Sequence, residues 1–193
     1  MIVGKEKESV ILEKVRRHEK DAVKEFYTLY IGYLTTVCSG YITDREDVKD
    51  ILQESFMKIL KAIDTFKYVG EGSLKGWCTK IVVNESLKFL KKSQKRSVFI
   101  RPVNSDMPDI QTDSEQETEP DIKDVSTGVI LEMIRSLPVG YRTIFNLYVF
   151  EHKSHKEIAS ILKISEGTSA SQFHRAKQQL ARQINDYKLS EQH

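Results

Sequence analysis

The sequence is poor in the residues that staple small secreted proteins or span membranes. It has two cysteines, Cys38 and Cys78, and one tryptophan in 193 residues. Two cysteines cannot form a disulfide framework or a zinc ribbon, and both lie within apolar helical patterns, where buried thiols are the usual case. No stretch approaches the roughly 18 apolar residues that a membrane span needs. The charged N-terminus also lacks the apolar stretch of a signal peptide. These absences predict a reduced, cytoplasmic protein without membrane insertion.

Net charge is also small, at +2, but the charges are unevenly distributed. Six basic residues and no acid occur from Lys88 to Arg101, whereas eight acids and one base occur from Asp106 to Asp124. A near-neutral total therefore hides a basic block beside an acidic one. Residues 98–126 also contain three of the four prolines and few large apolar residues. Such a segment buries too little surface to offset its ordering entropy, so it is predicted to be a flexible linker.

Apolar residues recur at helical spacing on both sides of this linker, and the alternation of period two that is typical of strands is absent. The prediction is an all-α protein with two small helical domains, 1–97 and 127–193. In the first domain the predicted inward residues are Val10, Ile11 and Val15; Phe26, Leu29, Tyr30, Tyr33, Leu34 and Val37; Val48, Ile51, Leu52, Phe56, Ile59, Leu60 and Ile63; and Leu74, Trp77, Ile81, Val82, Leu87 and Leu90. In the second they are Val129, Ile130, Met133, Ile134 and Leu137; Tyr141, Ile144, Phe145, Tyr148 and Val149; and Phe173, Ala176, Leu180 and Ile184.

Residues 154–182 carry the strongest local signal. Ser154 and Glu157 have the spacing of a capping box, and Ser165 is placed to cap the next helix. Two helices joined by a short turn predict a helix-turn-helix, whose second helix enters the major groove of DNA. Hydroxyls and cations on that helix suit phosphate and base contacts. The residues that offer them are Thr168, Ser171, His174, Arg175 and Lys177. A plain helical hairpin with a solvated polar face is the alternative.

The motifs of both domains resemble those of extracytoplasmic-function sigma factors. Region 4 of that family is resembled by Leu137-Pro138, Tyr141-Arg142, Glu157-Ile158-Ala159, Ile164-Ser165-Glu166-Gly167-Thr168, Arg175-Ala176-Lys177 and Leu180. Region 2 is resembled by Glu46-Asp47, Asp50-Ile51-Leu52-Gln53-Glu54-Ser55-Phe56, Gly76-Trp77, Ile81 and Asn84. The resemblance covers about residues 20–185, and the two motif sets in this order are highly specific. It implies a transcription initiation factor without catalytic chemistry or cofactor.

The resemblance also implies a contact with core RNA polymerase, on the clamp coiled coil of its largest subunit, with the flap as a second site. The matching residues are Asp47, Asp50, Gln53, Glu54 and Leu60. Asp50, Gln53 and Glu54 are spaced i, i+3 and i+4, on the face opposite the apolar stripe. Without the resemblance, a solvated helix face is the favoured interpretation.

Contacts with the minus-ten promoter element are implied for residues 66–75 and for the helix that follows. Phe66 and Tyr68 are expected to stack on a flipped base of the melted strand. Gly70, Gly72 and Gly76 permit close backbone approach, and their spacing does not follow a strand, which excludes a nucleotide-binding fingerprint. Polar and phosphate contacts are expected from Asn84, Lys80, Lys88, Lys91 and Lys92. Trp77 is expected in the core.

In the minus-thirty-five element, Arg175 is expected to reach a guanine and Thr168 a phosphate. Lys163 stands at a turn position that is often glycine in the family, and it is expected to adopt a left-handed conformation at some cost. Ala170 and Gln172 stand where basic residues are common, which weakens phosphate contact. An anti-sigma factor is a further partner implied by the resemblance.

Two other functions compete with this interpretation. A stand-alone helix-turn-helix regulator would bind operator DNA as a dimer, but it leaves the match at 44–60 without a role. A helical adaptor or anti-factor would bind only protein. His152 and His155 lack further metal ligands nearby and are predicted to lie on the surface.

Overall fold

The computed structural model describes residues 8–92 and 122–191, which belong to two compact units that divide after Leu90. All the secondary structure assigned in those two ranges is helical, which confirms the predicted all-α class. No helix in the described ranges combines the length and apolar character that crossing a membrane requires. Most of the predicted linker, 98–121, lies outside the described residues, so the domain bounds 1–97 and 127–193 stay predictions.

The first unit contains four α-helices in its described part, and a single 3₁₀ turn follows the third. They are α1 (Glu8–Arg16), α2 (Ala22–Ser39), α3 (Arg45–Ala62), the turn Ile63–Thr65, and α4 (Ser73–Lys92). Asp44 caps α3, because its carboxylate accepts hydrogen bonds from the amides of Glu46 and Asp47 at 2.9 and 3.0 Å. The core is formed by side chains from all four helices, among them Ile11, Leu12, Phe26, Leu34, Ile59, Leu74 and Val82.

The buried stripe of α2 is narrower than the predicted one. It runs through Ala22, Phe26, Tyr30, Leu34 and Cys38. Leu29 and Tyr33 were predicted inward but are 48% and 39% exposed, and Val10 of α1 is 42% exposed. Periodicity identifies the face of a helix that is buried, but the neighbouring helices decide how far that burial extends.

The two cysteines are buried, as predicted. Burial raises the pKa of the Cys38 thiol. Burial, together with the nearby Glu8 carboxylate, raises the pKa of Cys78 to about 12. Both side chains therefore act as small apolar residues of the core.

The second unit also contains four α-helices in its described part. They are α5 (Thr127–Ser136), α6 (Val139–Val149), α7 (His155–Leu162) and α8 (Glu166–Glu191). A core cluster from α5, α6 and α8 holds them together, with Ile130, Met133 and Phe145 packed against it; its members are Ile134, Leu137, Tyr141, Ala176 and Leu180. The buried Val125 and the cap at Ser126 both precede the predicted start of this domain at 127.

Helix α6 buries a different face from the predicted one. Tyr148 and Val149 were predicted inward but are 39% and 36% exposed, because α6 instead turns Thr143 and Leu147 into the core. Pro138 is the N-cap of this helix, which begins at Val139. Phe173 of α8 is only half-buried.

Candidate polymerase and nucleic-acid interfaces

The polar face of α3 lies opposite the buried side chains of Ile51 and Leu52. Asp50, Gln53 and Glu54 are exposed on it, as their spacing predicted. Within residues 8–92 and 122–191, the structure shows no ion pair or hydrogen bond made by these three side chains. They are therefore available to a partner. The other two predicted polymerase residues, Asp47 and Leu60, are half-buried.

Residues 66–72, between the 3₁₀ turn and α4, are here called the α3–α4 loop. Phe66 packs on Trp77 with ring centroids 4.9 Å apart, and both rings are half-buried, so Trp77 lies at the edge of the core rather than inside it. Gly70 and Gly72 have φ angles of 130° and 87°, a region that favours glycine. Val69 is 84% exposed, and a Cβ at either glycine would meet nothing within 4 Å. The space beside both glycines is thus open.

Helix α1 contacts both ends of this loop. Arg16 donates to the carbonyl of Ile63 from Nε and Nη2, at 3.3 and 3.1 Å, and also to the carbonyl of Phe66. Glu8 accepts from the amides of Leu74 and Lys75 at 3.1 and 3.0 Å. The roles of both side chains could not be predicted from the sequence, because each binds backbone atoms at least 47 residues away and belongs to no local motif.

One face of α4 is basic. Lys80, Asn84, Lys88 and Lys91 recur at spacings of four, four and three and are all exposed, as is Lys92. Glu85 of α4 pairs with Lys58 of α3, and its carboxylate lies 3.9 Å from the ammonium of Lys88. The charge of Lys88 is therefore partly balanced, and the basic character is greatest at the C-terminal end of the helix.

The predicted helix-turn-helix is formed by α7, the turn 163–165 and α8. Ser154 and Glu157 make the predicted capping box. Lys163 is left-handed, with φ 60° and ψ 46°, as expected, and the amides of Lys163 and Ile164 both donate to the carbonyl of Ala159. Ser165 accepts from the amide of Thr168 at 2.9 Å and so caps α8.

A cluster of rings supports this motif. Tyr148 stacks on His155 and packs against Phe173, with centroid distances of 4.7 and 4.3 Å. His155 Nδ1 lies 3.0 Å from Ser169 Oγ. His155 was predicted to lie on the surface, but it is half-buried and ties α7 to α8. The described residues contain no group of histidines, cysteines or acids arranged to hold a metal.

The predicted DNA-contacting residues of α8 do not all share one face. Ser171, His174 and Arg175 are exposed together, and Thr168 is half-buried near the N-terminus of the helix. Lys177 is exposed but stands two residues beyond Arg175, which places it about 200° around the helix. The two cations therefore point to nearly opposite sides of α8.

Gln172 requires a correction. It was expected at a phosphate-facing position, where the loss of a basic residue weakens DNA contact. Its side chain is buried, at 7% exposed, so this position faces the core. Ala170, by contrast, is exposed as expected.

Comparison with known protein families gives two matches, one in each unit. Residues 26–96 match sigma-70 region 2, and residues 127–180 match sigma-70 region 4. Together the two matches cover more than half of the chain.

Two named relatives are similar to this chain over most of its length. The chain is 25% identical over 189 residues to the ECF RNA polymerase sigma-E factor of Haemophilus influenzae, covering 92% of this chain and 95% of that one. It is 26% identical over 188 residues to the protein of the same name from Salmonella typhimurium, covering 92% and 94%. Among solved structures, it is similar to the sigma factor RpoE in complex with the anti-sigma factor NepR from Bartonella quintana, with a TM-score of 0.47 at 19% identity, covering 86% and 98%.

The two regions occur in the family order, and the full-length similarity to sigma-E factors spans both. The chain therefore belongs to the sigma-70 family as a sigma factor of the extracytoplasmic-function group, a non-enzymatic initiation factor that binds core RNA polymerase and directs promoter-specific transcription.

Proposed function

We propose that this sigma factor works through three surfaces. The polymerase surface comprises Asp47, Asp50, Gln53, Glu54 and Leu60. The minus-ten surface comprises Phe66, Tyr68, Lys80, Asn84, Lys88, Lys91 and Lys92. The minus-thirty-five surface comprises Thr168, Ser171, His174, Arg175 and Lys177. The observation that carries this proposal is the polar face of α3, where the side chains of Asp50, Gln53 and Glu54 are exposed and make no ion pair or hydrogen bond within the described residues.

The polymerase surface has the chemistry to bind a basic helix. Two carboxylates and an amide on adjacent helical turns match the fork of donors on an arginine side chain. The clamp coiled coil of the largest polymerase subunit is the partner we assign to it, with the flap contacting the second unit. Because Asp50, Gln53 and Glu54 are exposed, no internal bond has to be broken for binding.

The test of this surface is the double variant Gln53→Ala/Glu54→Ala. Exposed substitutions usually change stability by less than about 0.5 kcal/mol, so helicity and melting should stay nearly unchanged. Affinity for core polymerase should fall about tenfold or more, as expected when charge-assisted hydrogen bonds are lost. Glu19→Ala, an exposed acid outside α3, is the matched control. A folded double variant with unchanged affinity would refute the assignment.

The minus-ten surface joins an open loop to a basic helix face. Lys80 to Lys91 span about 16 Å along α4, enough to follow several phosphates of a strand. Phe66 is braced by Trp77, so a base that stacks on it meets a ring of fixed position. Substituting Tyr68 or Asn84 by alanine should weaken binding of the holoenzyme to single-stranded minus-ten oligonucleotides.

The minus-thirty-five surface assigns different roles to different side chains. Arg175 lies on the exposed face with Ser171 and reads a guanine edge, whereas Thr168, near the N-terminus of α8, contacts a phosphate. Arg175→Ala in the holoenzyme should then cost roughly 1–3 kcal/mol and relax preference at one promoter position. Thr168→Ala and Lys177→Ala should weaken binding about equally across sequences at fixed salt. A uniform loss for Arg175→Ala would make it a backbone contact.

Two finer assignments complete the proposal. The site of action is the cytoplasm, where core polymerase is found, and an anti-sigma factor is the expected regulatory partner. A stand-alone regulator is the competing function, and it requires tight binding to duplex DNA without polymerase. Binding to promoter duplex, measured with and without core polymerase, separates the two, and run-off transcription by the holoenzyme then tests initiation.

A further inference from the structure

We propose that helix α1 is a positioning element for the α3–α4 loop, with Arg16 and Glu8 setting the shape in which the loop captures a promoter base. This inference rests on the proposed minus-ten surface, because it gives the loop that role. It adds two residues, outside the loop, that would control base selection without touching DNA.

Arg16 fixes the start of the loop. Its guanidinium donates to the carbonyls of Ile63 and Phe66. Ile63 is the first residue of the 3₁₀ turn, and Phe66 directly follows that turn. These are charge-assisted hydrogen bonds, and the planar guanidinium presents several donors at fixed angles. The backbone of Phe66, whose ring is the proposed stacking group, is therefore held in place.

Glu8 fixes the end of the loop. The first amides of a helix have no intrahelical acceptor, and Glu8 accepts from two of them at the start of α4, at 3.1 and 3.0 Å. Its charge also complements the positive end of the α4 dipole. The hydroxyl of Ser73, the first residue of α4, instead bonds to the carbonyl of Gly70, so the cap for Leu74 and Lys75 comes from another helix.

Helix α1 is suited to keep these two ends at a fixed separation. Glu8 and Arg16 are eight residues apart, which corresponds to about 12 Å along a rigid helix. Ile11, Leu12 and Val15 anchor that helix in the core at 1–3% exposed. The glycines allow the loop many backbone conformations, and the space beside Gly70 and Gly72 is open. Restraint at the two ends therefore determines how much of that freedom remains.

The Glu8 carboxylate is itself held in place from α2. It accepts a hydrogen bond from the Tyr30 hydroxyl at 3.2 Å. Burial, and then the charge of Glu8, raises the pKa of Tyr30 above its usual value, so the hydroxyl stays protonated and remains a donor. The loop end, α1 and α2 are thus connected through one carboxylate.

The test uses the reconstituted holoenzyme with Glu8→Ala and Arg16→Ala, and Lys14→Ala as the matched control. Lys14 lies on the same helix, and its ammonium pairs with Glu25 of α2 at 3.1 Å. Affinity is measured for single-stranded minus-ten oligonucleotides with each base varied, for minus-thirty-five duplex, and for core polymerase. We expect Glu8→Ala and Arg16→Ala each to lower the affinity for the preferred oligonucleotide about tenfold, because each variant loses hydrogen bonds made by a charged group. Preference among bases should flatten.

Binding to the duplex and to core polymerase should not change, a pattern that general destabilisation would not give. Glu8→Gln keeps an acceptor oxygen and Arg16→Lys keeps a cation, so each should fall between wild type and alanine. These two variants carry the test if an alanine variant does not fold. Unchanged base preference in the folded variants overturns the inference.

A second arm separates this failure from failure of the minus-ten surface. Tyr68→Ala and Asn84→Ala probe that surface directly. If they weaken oligonucleotide binding while the α1 variants do not, only the role of α1 is wrong. If neither set has an effect, the minus-ten assignment itself is wrong, and the positioning role falls with it.

Discussion

The two units hold their functional segments by different means. In the second unit, the turn 163–165 is fixed by neighbours in sequence: the amides of Lys163 and Ile164 donate to the carbonyl of Ala159, and the amide of Thr168 donates to the Ser165 hydroxyl. In the first unit, Glu8 and Arg16 hold the α3–α4 loop across 47 to 67 residues. A segment fixed locally stays formed as long as its own helices do. A segment fixed from afar depends on the packing of the whole unit.

The largest effect is expected when the packing of α1 against the core is weakened. Leu12→Ala removes a side chain that is 1% exposed and should cost about 2–5 kcal/mol. Because α1 then holds its position poorly, the amides of Leu74 and Lys75 should exchange hydrogen faster than the rest of α4. Chemical unfolding and hydrogen exchange of the full chain measure both effects.

Val10→Ala is the matched control on the same helix. Val10 is 42% exposed, so its loss should change stability by less than about 0.5 kcal/mol and leave exchange unaltered. If Leu12→Ala destabilised the unit while the loop-end amides stayed as protected as before, the loop would not depend on α1.

Arg142 offers a test in the second unit. It is 3% exposed, and its Nη1 donates to the carbonyls of Arg135 and Leu137, at 2.6 and 3.0 Å, where α5 ends. Burial, with the nearby charge of Arg135, lowers the pKa of Arg142. Arg142→Met should cost about 2 kcal/mol, because it leaves buried carbonyls without this donor.

Arg135→Met is the control for Arg142. Arg135 pairs with Glu132 on the surface at 2.7 Å, and such pairs contribute at most about 1 kcal/mol. Equal costs for the two variants, measured by urea unfolding, would mean that the Arg142 bonds do not stabilise the junction of α5 and α6.

The same contrast explains which features the sequence could predict. The capping box, the Ser165 cap and the left-handed Lys163 were all predicted, because each depends on residues within a few positions of one another. The exposure of Asp50, Gln53 and Glu54 was predicted because a helix with one apolar stripe must turn the opposite face to solvent. The roles of these residues stay predictions.

The failures concern contacts that only the folded chain defines. Leu29 and Tyr148 fit a helical stripe but lie beyond the part that neighbouring helices cover. Gln172 matches a family position where basic residues are common, but the packing of α8 turns it inward. The bonds of Glu8 and Arg16 join residues that no periodic pattern relates.

A smaller effect is expected from relieving backbone strain at the turn 163–165 of the second unit. Lys163 has φ 60°, a conformation that costs side-chain-bearing residues energy and that glycine adopts freely. Lys163→Gly should stabilise the unit by about 0.5–1 kcal/mol, after the added entropy of the unfolded glycine is subtracted. Lys163→Ala removes the same charge but keeps the Cβ, so it should give no such gain. Equal melting temperatures for the two variants would count against backbone strain at this turn.

The smallest expected effect is the pH dependence of the capping box. Hydrogen bonds from the backbone amide and then from the hydroxyl of Ser154 hold the pKa of Glu157 below its usual value. The folded pKa is thus lower than the unfolded one, so the contribution to stability is present above the unfolded value of about 4.3. It is lost as the pH falls through the folded pKa. Wild type should therefore be more stable than Glu157→Gln at pH 7, and the difference should shrink below about pH 4. Urea unfolding of the full chain across this range measures it, with Asp186→Asn, an exposed acid of α8 away from any cap, as the control. A difference that grew on acidification would mean that the protonated carboxyl is the bonded form, and the local cap at the start of α7 would then need another explanation.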